Sequence, residues 1–190
     1  MDQREKIYKK AIALFYKRGY DNTSVSQIAK ALNLSKASLY HYMSSKQHLL
    51  FLIYDNYLEK YFIPIFDEAR KIDDPKERIT YIIQSLTNLA ATQPWVRVLI
   101  HETRRLDTQY QQKIKRVWRR SYRLIRDTIN ELQSSKNAKK LNSSFSAFVL
   151  LGMTSFTYYW FDYKRKESAE ELSRTLSEIY LKGLLTGEDS

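Results

Sequence analysis

At 190 residues and a net charge of +11, the chain suits one compact unit or one large and one small domain, and folding buries roughly 70% of its unfolded surface. Four glycines and three prolines leave little material for sharp turns, which favours long helices. With no cysteine, no disulfide framework or thiolate chemistry is expected; without a leader-like segment or an apolar run of about 18 residues, neither secretion nor membrane spanning is expected, and the cytoplasm is the expected location.

Charge is unevenly placed. Residues 1–50 hold nine Lys/Arg against three Asp/Glu, and residues 51–190 hold 23 against 18. The first quarter therefore carries more than half of the excess, as a surface that meets phosphates would. Surplus lysine kept for solubility would give the same sum.

A first helix is expected over 2–18, with Ile7, Ala11, Leu14 and Phe15 on one face. Gly19 ends it as a left-handed residue. Thr23 to Leu50 then reads as two short helices joined by a tight turn. Ser24 and Gln27 have capping-box spacing, and Val25, Ile28, Ala29 and Leu32 give a helix over 24–32 its apolar face. Asn33 stands where a left-handed residue closes that helix. Ser35 caps a second helix over 35–41, for which Leu39 and Met43 supply the only large core-facing side chains. The remaining positions, Lys36, Ala37, Ser38, Tyr40, His41 and Tyr42, are donors, acceptors and flat rings. Such a set is poor core material and good groove material.

The stretch from Ala13 to Leu50 carries a Gly19-Tyr20 stop, a Thr23-Ser24 start, a Leu-Tyr-His-Tyr run at 39–42 and a Ser45-Lys46 start of the next helix. With the amphipathic helix before it, this resembles the N-terminal DNA-binding domain of the TetR family of bacterial transcriptional regulators. Met43 stands where the family usually has Phe, and Asn33 where Gly is common; both suit the same role. The resemblance implies an all-α fold: a three-helix helix-turn-helix domain at 1–46, then a larger helical ligand-binding and dimerisation domain at 47–190. It implies a homodimer, most simply a repressor, on a near-palindromic double-stranded DNA operator. The DNA-facing set would be Thr23, Ser24, Ser35, Lys36, Ala37, Ser38, Tyr40, His41, Tyr42 and Lys46. Hydroxyls suit phosphate oxygens, Ala37 can meet a thymine methyl, and Thr23, Ser24 and Lys46 stand at helix starts whose amide dipoles favour phosphate. A core role for Tyr40 and a solvated one for His41 are the plain alternatives.

Ser44 or Ser45 caps a fourth helix that carries Leu49, Leu50, Ile53 and Tyr57 inward, with Pro64 kinking or ending it. Asp73-Asp74-Pro75 turns into a helix reaching Thr92, and Pro94 opens another ending near Leu106. A long helix follows over 107–134, then the polar connector 134–144. The last two helices are expected over 142–163 and 168–186, antiparallel across the short basic loop Tyr163 to Glu167.

Lys113 to Arg126 holds seven basic residues in 14 and no acid. On a helix its arginines form a stripe beside apolar and aromatic residues. A solvated face explains such a stripe, and so does a seat for an amphipathic anion, because unbroken like charges at i,i+4 repel. Together with His101-Glu102 to Leu106, the Trp160-Phe161 pair and the Ser-Ala-Glu-Glu-Leu start at 168–172, the run resembles the acyl-CoA-responsive branch of the family. There, arginines hold the nucleotide phosphates of a CoA thioester, a role that suits their planar fork. The effector set implied is Arg104, Arg116, Trp118, Arg119, Arg120, Tyr122, Arg123, Phe156, Tyr159 and Trp160. A different amphipathic or anionic effector would use the same residues. The ring density of the penultimate helix suits a cavity, a dimer interface or both; Phe148, Gly152, Leu176, Ile179 and Gly183 are expected to meet the twofold mate. No catalytic, cofactor or metal set is found: His41, His48 and His101 lack ligand spacing, and no glycine-rich phosphate loop is present. A helical protein-interaction module that does not read DNA is the other rival.

Overall fold

The computed structural model describes residues 2–93, 95–134, 138–161 and 168–185. Among these residues the structure is helical, with one isolated antiparallel bridge between Ala138 and Leu185. The elements are α1 (Gln3–Arg18), α2 (Val25–Ala31), α3 (Lys36–Tyr40), α4 (Lys46–Tyr57), a π-helical turn (Leu58–Phe62), α5 (Ile63–Ala69), α6 (Pro75–Thr92), α7 (Trp95–Glu102), a 3-10 turn (Thr103–Arg105), α8 (Thr108–Ser134), α9 (Ser143–Trp160) and α10 (Ala169–Leu184). The expected loop Tyr163 to Glu167, the expected helix-opening residue Pro94 and part of the connector 134–144 lie outside the described residues.

The helix starts follow their side-chain caps. Ser24 and Gln27 form a full capping box, Ser35 accepts from the Ser38 amide at 2.9 Å, Ser45 from His48 at 2.9 Å and Asp74 from Glu77 at 2.7 Å. Each cap satisfies amide donors that a helix N-terminus leaves unpaired. Asn33 has φ 55°, the left-handed residue that the sequence pattern requires. Gly19 also ends α1 at positive φ, 83°, but its ψ of 154° lies outside the left-handed helical region. Pro64 acts differently from either expectation. The helix passes from α4 through the π-helical turn and restarts as α5 with Pro64 in its first turn, where its missing N–H leaves no bond unmade.

The chain packs as two compact units, 1–59 with 94–115, and 60–93 with 116–190. In the first, α1 lies against α2, α4 and α7, burying Ile7, Ile28, Leu39, Leu49, Leu50 and Ile53 completely. In the second, α6 is central, packing on α5, α9 and α10. Its Ile79, Ile82 and Ile83 are fully buried, as are Ile125 and Ile129 of α8 and Leu150 of α9.

Tyr180 pins α10 to α9 by donating its hydroxyl to the Ser146 carbonyl at 2.8 Å, and burial pushes its phenol pKa up. The unfolded chain ionises this group from about pH 10, whereas the folded chain keeps it neutral. Its contribution is therefore whole below pH 10 and lost as pH rises above it. Tyr180→Phe is expected to cost about 1 kcal/mol at neutral pH. Urea midpoints measured across the alkaline range should fall less steeply in the variant than in the parent.

Candidate nucleic-acid interface and effector surface

The helix-turn-helix is built from the inside out. Leu39 and Met43, four residues apart, are buried and anchor α3, a helix of only five residues. That anchorage turns Lys36, Ala37, Tyr40 and His41 outward, all exposed; Tyr40 keeps 44% of its surface free. The Lys36 ammonium lies 6.0 Å from the Tyr40 ring centre. Ser38 and Tyr42 are half-buried, and the Ser35 and Ser38 hydroxyls share a 2.7 Å hydrogen bond.

The other expected DNA residues hold the frame. Thr23 is fully buried and donates its hydroxyl to the Gly19 carbonyl at 2.8 Å. Ser24 lies in the capping box, exposed. Lys46 extends from the start of α4 to the α1–α2 connection, where its ammonium donates to the carbonyls of Tyr20 at 2.9 Å and Thr23 at 3.1 Å. It also lies 4.2 Å from the Tyr20 ring centre. The lysine thus ties the turn before α2 to the helix after α3, and sequence spacing gave no sign of that tie.

Further ties in this unit join residues far apart in sequence. The Arg105 guanidinium pairs with Asp21 at 2.6 Å and with Glu102, and lies 5.7 Å from the Tyr20 ring centre; its carbonyl accepts from the Gln47 amide. Tyr110 of α8 stacks on Phe51 at 4.0 Å, and Lys113 pairs with Asp55 at 2.6 Å. His48 accepts from the Ser44 amide at 3.1 Å, closing the turn after α3.

In the second unit, α8 presents Arg116, Arg119, Arg120 and Arg123 to solvent. Arg120 reaches Asp67 only at 3.8 Å, while Arg126 pairs with its neighbour Asp127 at 2.7 Å. Trp118 is half-buried with its ring 4.7 Å from Phe62, and Tyr122 stacks on Phe148 at 5.0 Å. The cavity beside Val117, Arg120 and Ser121 measures about 40 Å³, room for a water and not for an effector. Arg104 is not in this unit; it lies on the 3-10 turn of the first.

Helix α9 carries its rings outward. Phe145, Phe148, Val149, Phe156, Tyr159 and Trp160 are all more than half exposed. Their spacing runs an apolar face along the whole helix, with Gly152 at its middle. On α10, Ile179 is 63% exposed, Leu176 is half-buried, and Gly183 is exposed. A Cβ added at Gly152 or Gly183 would meet nothing within 4 Å. Phe156, Tyr159 and Trp160, expected around an effector, thus share the outward face of α9 with Phe148. Val149, which the sequence reading did not single out, lies among them.

Comparison with known proteins agrees with this architecture. The family model for bacterial regulatory proteins of the tetR family matches residues 7–53, and that for the tetracyclin repressor-like C-terminal domain matches residues 72–184. The HTH-type transcriptional regulator YuxN of Bacillus subtilis is 39% identical over 77 residues, 40% of this chain and 26% of that protein. The biofilm operon negative regulator IcaR of Staphylococcus aureus is 46% identical over 46 residues, 24% of this chain and 25% of that protein. The matched stretches thus span about a quarter of each curated relative. Over the whole fold, AibR in complex with isovaleryl coenzyme A and operator DNA superposes with a TM-score of 0.87 at 22% identity, covering 94% of this chain and 97% of that one. The chain belongs to the TetR family of transcriptional regulators, DNA-binding proteins rather than enzymes.

Proposed function

We propose that this protein is a cytoplasmic homodimeric repressor of a near-palindromic operator, released by an amphipathic anion, for which an acyl-CoA thioester is the best candidate. The observation that carries the DNA reading is the outward set of Lys36, Ala37, Tyr40 and His41 on a helix held from beneath by Leu39 and Met43. DNA binding is assigned to 1–46, effector binding and dimerisation to 47–190. A twofold mate would cover the α9–α10 face, with Gly152 and Gly183 allowing close backbone approach and Phe148, Leu176 and Ile179 filling the centre. Repression is supported by IcaR, a negative regulator, and the thioester by AibR, seen with isovaleryl coenzyme A and operator DNA.

The effector's phosphates would take Arg116, Arg119 and Arg123, exposed on one helix face and free of acidic partners among the described residues. Helix α8 contributes Thr108–Lys115 to the first unit and the rest to the second. A shift of its arginine half would therefore reach Tyr110 and Lys113, which hold Phe51 and Asp55 of α4. Coupling of about 1–3 kcal/mol through this helix would suffice for release.

The test is fluorescence anisotropy on labelled DNA from upstream of the protein's own gene, with short-, medium- and long-chain acyl-CoAs. Release by one chain-length class, and not by free CoA, is the expected result. Arg119→Ala with Arg123→Ala should keep operator affinity and raise the thioester concentration needed for release at least tenfold. Unaltered release would return the stripe to a solvated face, and an operator affinity indifferent to every thioester would discard that effector class.

A further inference from the structure

The first unit contains a groove separate from the α8 arginines. Two open clefts lie end to end between α1 and α7. The first, about 440 Å³, is lined by Ile12, Ala13, Tyr16, Lys17 and Trp95. The second, about 740 Å³, begins at Phe15 and Tyr16 and continues past Val98 to Arg97, His101 and Arg104. Tyr16 borders both, so they form one groove. Residue numbers rise in the same direction on both helices along it, and the chemistry changes with them. The end at Ile12 and Trp95 is apolar, with Lys17 able to lay its methylene stem there. The other end gathers three arginines and a histidine against one carboxylate, Glu102.

Helix periodicity explains the arrangement. On α7, Trp95, Val98 and Glu102 form one stripe and Arg97 and His101 the stripe beside it, and Arg104 follows on the 3-10 turn after α7. Of the cations, Arg105 is engaged with Asp21 and Glu102. Arg97 and Arg104 are exposed and have no acidic partner among the described residues. From Trp95 to Arg104 is about 14 Å along the helix axis, the reach of an extended medium-length acyl chain.

We propose that the α1–α7 groove binds a single-chain amphipathic anion, with the acyl chain along Tyr16 and Trp95 and the carboxylate or phosphate head between Arg97 and Arg104. Two arginine forks suit such a head, and the apolar end gives the chain a place out of water. The proposal does not rest on the thioester reading, because no α8 arginine lines the groove.

The test uses the full chain and dansylated undecanoic acid as probe, competed with laurate, lauryl phosphate, butyrate and inorganic phosphate. Saturable probe binding, displaced by the two lauryl compounds and not by butyrate or phosphate, is expected. Ala13→Trp, which fills the apolar end from an exposed position, should weaken binding at least tenfold, as should Arg97→Glu with Arg104→Glu. Circular dichroism checks that both variants fold. Arg119→Ala with Arg123→Ala should bind the probe as the parent does. Absence of saturable binding, parental affinity in both groove variants, or loss confined to the α8 variant would each overturn the proposal. So would recruitment of the parent to phosphatidylglycerol vesicles without displacement by monomeric laurate, which would make the groove a membrane contact. Operator binding is measured in parallel, so failure of the groove and failure of the DNA reading are separable.

Discussion

If the proposed dimer forms through α9 and α10, Ile179→Arg is expected to leave a monomer and to lower affinity for a two-half-site operator by about two to four orders of magnitude, the range set by losing the second, tethered half-site contact. The reasoning starts from exposure. Ile179 is 63% exposed on α10, in line with an α9 surface on which Phe145, Phe148 and Val149 are each at least 60% exposed. An exposed arginine in the single chain costs folding almost nothing, but in a dimer interface it would be buried without a partner, costing several kcal/mol. Sedimentation velocity reads the oligomer, and paired full-site and half-site titrations read the DNA. Half-site affinity should match the parent. If the variant sedimented as a dimer with full-site affinity intact, the α9–α10 face would not be the interface. Phe148→Arg repeats the test on α9, with the added loss of its stacking on Tyr122.

What the sequence made legible follows how local each cause is. Caps and stops act within four residues, so Ser24, Asn33, Ser35, Asp74 and Pro75 mark their helix ends directly in the letters. The apolar anchor of α3 was equally plain, because Leu39 and Met43 recur at helical spacing and the residues between them, Tyr40, His41 and Tyr42, all carry polar groups. The frame behind the interface was not legible. Lys46 to Tyr20, Arg105 to Asp21 and Lys113 to Asp55 span 26, 84 and 58 positions, and nothing in composition selects those pairs from the other lysines and arginines. The π-helical turn before α5 has the same origin, since packing rather than local preference decides where a helix absorbs an extra residue ahead of a proline. The α1–α7 groove needs both: its stripes are written in helical periodicity, but which stripes face each other is a tertiary fact.

Lys36, Tyr40 and Lys46 separate DNA contact from support of the DNA-binding unit, and the three substitutions should part company. Lys36→Ala removes an exposed charge on α3; it should leave the urea midpoint in place and lower operator affinity. It should also flatten the salt dependence by about one counterion for each bound subunit, one phosphate contact apiece. Tyr40→Ala should lower affinity with the salt slope unchanged, because the lost group is a ring and a neutral hydroxyl. Lys46→Met is expected to have the largest consequence of the three. It retains much of the stem's bulk but strips the Tyr20 and Thr23 carbonyls of a shared charged donor, which costs about 1–3 kcal/mol. The loss should therefore appear first as a lower urea midpoint without any DNA present. Operator affinity should then fall for every sequence variant alike, since the recognition helix is displaced rather than altered. If Lys46→Met kept the parental midpoint and lost only salt-dependent affinity, the ammonium would be leaving its two carbonyls to meet a phosphate, and Lys46 would rank as a contact residue instead of a tie.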